Sequence, residues 1–152
     1  MIRGIVRGAL VAAAYVAVSY ALAPISFGPL QFRLAEALAL LPIAFPEAVA
    51  GLFVGCLVTN LIGPYGLPDI VFGSLITLVA AAITRAFRHS PIAYLAPVVL
   101  NAVLVSAYLT VLTKVPYWML VLSIGASEAI SVLAVGVPIL RFVNRRLQSD
   151  ER

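Results

Sequence analysis

Residues 117–140 read YWMLVLSIGASEAISVLAVGVPIL, an unbroken apolar run that contains one ionisable group, Glu128. About 20 apolar residues are enough to cross the hydrocarbon core of a bilayer, so the run reads as a transmembrane helix. A carboxylate at that depth costs a few kcal/mol or more unless it is partnered, which makes Glu128 a candidate for a functional site. Asn101, in the preceding apolar segment, poses the same question. Its bland alternative is that of an interhelical hydrogen-bond link.

Composition extends the reading to the whole chain. Of the 152 residues 63% are hydrophobic and 11% charged, and the intervals Arg7–Arg33, Glu47–Asp69 and His89–Lys114 hold no charge between their ends. The expected class is an all-α, polytopic membrane protein with one membrane-embedded domain over residues 1–152. Arg3 and Arg7 followed by an apolar stretch and Ala21-Leu22-Ala23 resemble a signal peptide, but Pro24 speaks for a first membrane helix instead. Cys56 is the only cysteine and His89 the only histidine, so no disulfide, metal cluster or Ser-His triad is expected. The net charge of +4 needs no nucleic acid as a partner, because the basic residues gather at segment ends.

Six helices are expected, at roughly 5–23, 31–45, 47–62, 68–86, 91–113 and 117–143, with prolines and glycines at the breaks. The second and third are short for a full span, and residues 42–46 could be a kink within one bent helix. Six helices put Arg3, Arg7, Arg85, Arg88, Arg141, Arg145, Arg146 and Arg152 on one side, against Arg33 and Lys114 on the other. The positive-inside rule then places both termini in the cytoplasm. Along the first helix Ala9, Ala13, Ala17 and Ala21 recur every four residues, a small-residue stripe that suits close helix packing, within this chain or against a partner.

The polar residues of these helices could converge on one cavity in the outer half. Arg33 and Glu36 lie three apart on one face and are expected to pair. Asn60 closes the third helix on the same side, Asp69 reads as a cap after Pro68, and Asn101 and Glu128 could form the pocket floor. Phe27, Tyr65, Tyr108, Tyr117 and Trp118 would supply aromatic faces near its mouth, although interfacial belts place Tyr and Trp there without a ligand. No glycine-rich loop ends in Lys-Ser or Lys-Thr, so the chain is not expected to hydrolyse ATP.

The run from Phe27 to Leu38, FGPLQFRLAEAL, closing with Leu41-Pro42, resembles the signature of the QueT family, substrate-binding components of energy-coupling factor (ECF) transporters. The similarity continues through Gly51–Cys56 to Asn60 and again over Asp69–Leu75. The resemblance implies a six-helix S component, both termini inside, in the plasma membrane of a prokaryote. It also implies a ligand among the queuosine precursors, a 7-deazaguanine such as 7-aminomethyl-7-deazaguanine or queuine. A transmembrane coupling protein (T component) would dock on the alanine stripe. Two ATPase subunits would supply ATP and magnesium, with no cofactor in this chain.

For such a ligand, Glu128 could accept the ring N–H and exocyclic amine of the base, and Asn101 could donate to its ring carbonyl. Glu36 has the same chemistry as Glu128, and Arg33 would brace Glu36. Two other readings are an S component for a different metabolite and a small membrane-embedded enzyme using Glu128 as acid or base.

Overall fold

The computed structural model describes residues 2–26 and 32–150. All regular structure among them is helical. The principal helices are α1 (Ile2–Ala21), α2 (Leu34–Ala44), α3 (Glu47–Ile62), α4 (Asp69–Ala86), α5 (Ile92–Thr113) and α6 (Tyr117–Ser149). Four of them, α1, α4, α5 and α6, are long and apolar enough to cross a membrane; α2 and α3 are shorter. At about 1.5 Å per residue, the 16 residues of α3 reach only about 24 Å.

The helix ends follow from local chemistry. Phe45 is extended and Pro46 precedes α3, so α2 and α3 are separate helices and not one bent one. Lys114 takes a left-handed conformation with φ of 59° and ends α5, and Pro116 then opens α6. Inside α5, Pro97 cannot donate to the carbonyl of Ala93, four residues back. The hydroxyl of Thr84 on α4 donates to that carbonyl at 3.1 Å. This replacement from a neighbouring helix is what makes a proline tolerable where no water is available.

Helices α1 and α3 run parallel to each other, as do α2 and α4. The start of α1 lies beside the start of α3, where a Cβ on Gly4 would come within 2.7 Å of Glu47 Oε1. The end of α4 lies beside the end of α2, where Arg85 donates to the carbonyls of Pro42 and Ile43 at 3.1 and 3.2 Å. The tightest approach joins α1 and α3. A Cβ on Gly51 would sit 2.5 Å from the carbonyl oxygen of Gly8, so only glycine allows that crossing.

Helix α2 has neighbours on every side, touching α1, α3, α4, α5 and α6. Its buried residues include Ala35, Glu36, Ala37, Ala39, Leu40 and Leu41. The shortness of α2 is thereby explained, since its backbone faces protein and not lipid, and its first seven residues wind as a tight 3₁₀ helix.

Candidate functional site

Widened π-helical turns interrupt three helices, at Asp69–Gly73 in α4, Asn101–Val105 in α5 and Ile130–Gly136 in α6. Asp69 and Asn101 open the first two, and Glu128 stands two residues before the third. Such turns occur often at functional sites, and here all three adjoin a buried polar residue. Asp69, Asn101 and Glu128 are each no more than 1% exposed.

Asp69 is the hub of the cluster. Its Oδ1 accepts from the Tyr108 hydroxyl at 2.5 Å and from the Arg33 guanidinium at 3.4 Å, and its backbone carbonyl accepts from Asn60 Nδ2 at 2.9 Å. Gly73 makes room for this arrangement: a Cβ there would lie 2.8 Å from Asn60 Nδ2 and 2.9 Å from Asp69 Oδ1. Two expectations are corrected. Asp69, although it follows Pro68, gives Oδ1 to Tyr108 and Arg33 and leaves Oδ2 without a partner, so neither oxygen serves as a cap. Arg33 forms its ion pair with Asp69 and not with Glu36. Arg33 precedes the first helical residue, Leu34, in a non-helical conformation, so its three-residue spacing from Glu36 does not set the two side chains on one helix face.

Glu36 instead accepts a 2.5 Å hydrogen bond from the hydroxyl of Tyr15 on α1. Glu128 Oε1 accepts from Asn101 Nδ2 at 3.0 Å, which brings the two together as expected. One of the two N–H groups of the Asn101 amide is engaged in that bond, and its carbonyl oxygen, an acceptor, has no partner. The backbone N–H of Arg33 donates to Ser127 Oγ at 3.2 Å, tying the start of α2 to α6 beside Glu128.

Three buried side-chain oxygens of this cluster have no hydrogen-bond partner: Asp69 Oδ2, Asn101 Oδ1 and Glu128 Oε2. All three are acceptors. Three carboxyl groups, Glu36, Asp69 and Glu128, are buried together with one guanidinium, Arg33, so the interior is rich in acceptors. The cleft beside them, lined by Tyr15, Ser19, Ser26, Arg33, Thr59 and Asn60, leaves room for little more than one water molecule. A larger guest would have to move these side chains apart.

The aromatic mouth is corrected as well. Trp118 is 71% exposed and meets Tyr117 edge-on at the bundle surface, while the Tyr117 hydroxyl donates to the Val103 carbonyl. Tyr65 packs on the apolar cluster of Ile76, Val105 and Leu109. The rings beside the polar cluster are those of Tyr108 and Tyr15, and Phe27 lies outside the described residues. Tyr15 is the residue missed by sequence reasoning, and Asp69 the one assigned to capping alone. The available signal for Tyr15 was a hydroxyl on the α1 face turned away from the alanine stripe. Ala9, Ala13, Ala17 and Ala21 are exposed along the outside of α1 and do not touch the cluster. Among the described residues no group of histidine, cysteine and carboxylate side chains could hold a metal ion.

The family model described as QueT transporter matches residues 5–145 of the chain. No curated protein and no solved structure matches it.

Proposed function

Because the chain belongs to the QueT transporter family, and is therefore a membrane-embedded transport protein and not an enzyme, we propose that it is the substrate-binding S component of an ECF-type transporter for a 7-deazaguanine queuosine precursor. The observation that carries the ligand class is the set of unpartnered acceptors at Asp69, Asn101 and Glu128. Leaving a buried acceptor unpaired costs about 1–3 kcal/mol, so a guest bearing several N–H donors gains by satisfying them. A deazaguanine offers a ring N–H, an exocyclic amine and a pyrrole N–H, and an aminomethyl substituent adds an ammonium suited to the excess of carboxyl groups.

In this reading Glu128 and Asn101 receive the donor edge of the base, and Glu36, held by Tyr15, lies beside them. Arg33, Asn60 and Tyr108 hold Asp69 in place, and Phe27 belongs to the adjoining loop. The six helices all cross the plasma membrane of a prokaryote with both termini inside, as the eight-to-two division of basic residues favours. A T component docks on the alanine face of α1, and two ATPase subunits provide ATP hydrolysis with magnesium.

Capture and coupling are separable by mutation. A bulky side chain at Ala13 or Ala17 projects from the exposed face of α1 and holds a partner helix away, while the polar cluster lies on the other side of that helix. Ala13→Trp or Ala17→Trp is expected to bind the deazaguanine with wild-type affinity yet to lose assembly and cellular uptake. Uptake that survives the substitution would remove the alanine face from the docking surface.

A further inference from the structure

Two grooves flank α1 at the arginine-rich end of the bundle, and they are headed by opposite charges. The groove between α1 and α3 is floored by Gly4, Gly8, Ala12 and Gly51 and carries Glu47. The groove on the other flank, between α1 and α2, is about 200 Å³ and is lined by Leu10, Val11, Ala14, Leu38 and Leu41, with Arg7 and Phe45 at its end. Arg3, Arg7, Leu10 and Ala14 follow one another at i, i+4, i+7 and i+11, so they form a single stripe that is basic at one end and apolar along the rest.

The basic end is ready for an anion. Arg3 and Arg7 are exposed, and the one ion pair among the described residues is that of Arg33 with Asp69. The Arg7 guanidinium lies 5.9 Å from the centroid of the Phe45 ring, which holds it over the mouth of the groove. A planar guanidinium matches the oxygens of a phosphate, and two unpaired arginines a turn apart suit one phosphodiester. Exposed Leu10 follows Arg7 in the lining of the same groove, so the phosphate would sit where polar headgroup gives way to acyl chain. The floor, mostly Leu and Val with Ala14 as its one small residue, admits an extended hydrocarbon chain but lacks the run of glycines and alanines that lets a helix approach closely.

We propose that this groove binds one anionic phospholipid, with its headgroup phosphate on Arg3 and Arg7 and one acyl chain along Leu10, Ala14, Leu38 and Leu41. Each basic side chain near an anionic surface is worth about a fivefold gain, so two give a preference on the order of 30-fold over a zwitterionic lipid. The glutamate at the head of the α1–α3 groove disfavours the same lipid there.

Native mass spectrometry of the full chain, released from detergent with equal amounts of palmitoyl-oleoyl phosphatidylglycerol and phosphatidylcholine, tests the site. The expected result is one phosphatidylglycerol retained per chain with about the preference above. The preference should vanish in the Arg3→Gln, Arg7→Gln double variant, whose exposed positions leave folding intact. Ala14→Trp, which fills the groove and leaves both arginines, should release both lipids. Equal retention of the two lipids by the wild-type chain would overturn the proposal, as would a preference that survives the double substitution. Glycerol phosphate displacing the lipid as well as whole phosphatidylglycerol does would also overturn it, by reducing the site to its headgroup.

Discussion

Glu128→Gln is expected to lower the affinity of the purified protein for a 7-deazaguanine on the order of 100-fold. The substitution keeps the shape of the side chain and an oxygen for Asn101 Nδ2, now 3.0 Å from Glu128 Oε1. It places an NH₂ where the unpartnered Oε2 stands. A donor then faces the donors of the base, and one charge-assisted hydrogen bond is lost while two N–H groups are left unpaired, about 3 kcal/mol together. Asn101→Ala removes a second acceptor but leaves the carboxylate, and about tenfold is expected. Isothermal titration calorimetry in detergent reads both. Unchanged affinity in Glu128→Gln, together with a loss in Glu36→Gln, would move the reading of the base to Glu36.

Asp69→Ala is the most destabilising of the changes considered, at about 3–5 kcal/mol. Arg33 is 8% exposed and Asp69 fully buried, so the substitution strands a guanidinium inside the bundle and takes the acceptor from the Tyr108 hydroxyl. The penalty belongs to the unpaired charge more than to the worth of the pair. Replacing both partners with apolar residues, as in Arg33→Met with Asp69→Leu, should therefore cost less than Asp69→Ala alone. Thermal unfolding in detergent distinguishes the two. An Asp69→Ala chain as stable as the wild type would mean that Arg33 is not held as described.

Helix boundaries were legible in the sequence where a breaker brackets an apolar run. Pro46 and Gly63 bound α3, which spans Glu47–Ile62 as the sequence indicates. The last helix runs beyond the expected 143 to Ser149, because nothing in its polar tail stops a helix. Glu128 and Asn101 could be foreseen as partners because each is a lone polar group in an apolar helix, and such groups seek one another. Asp69 could not be read correctly, since a carboxylate after proline has the same local appearance whether it caps its helix or pairs with an arginine 36 residues away. The deciding partner is set by packing. The close crossing of α1 and α3 did leave a signal, in the four-residue spacings of Gly4 with Gly8 and of Gly51 with Gly55. The aromatic residues misled because interfacial rings and ligand-stacking rings have the same sequence signature.

The buried acceptors of this bundle are proposed to receive a donor-rich deazaguanine. The most direct measurement is mass-spectrometric identification of the small molecule that copurifies with the chain from a membrane extract, followed by titration of the emptied protein with that compound. The expected compound is a 7-deazaguanine such as 7-aminomethyl-7-deazaguanine or queuine, bound once per chain and released by Glu128→Gln. Another vitamin or metabolite recovered in its place, held with equal strength by the Glu128→Gln variant, would contradict the proposal.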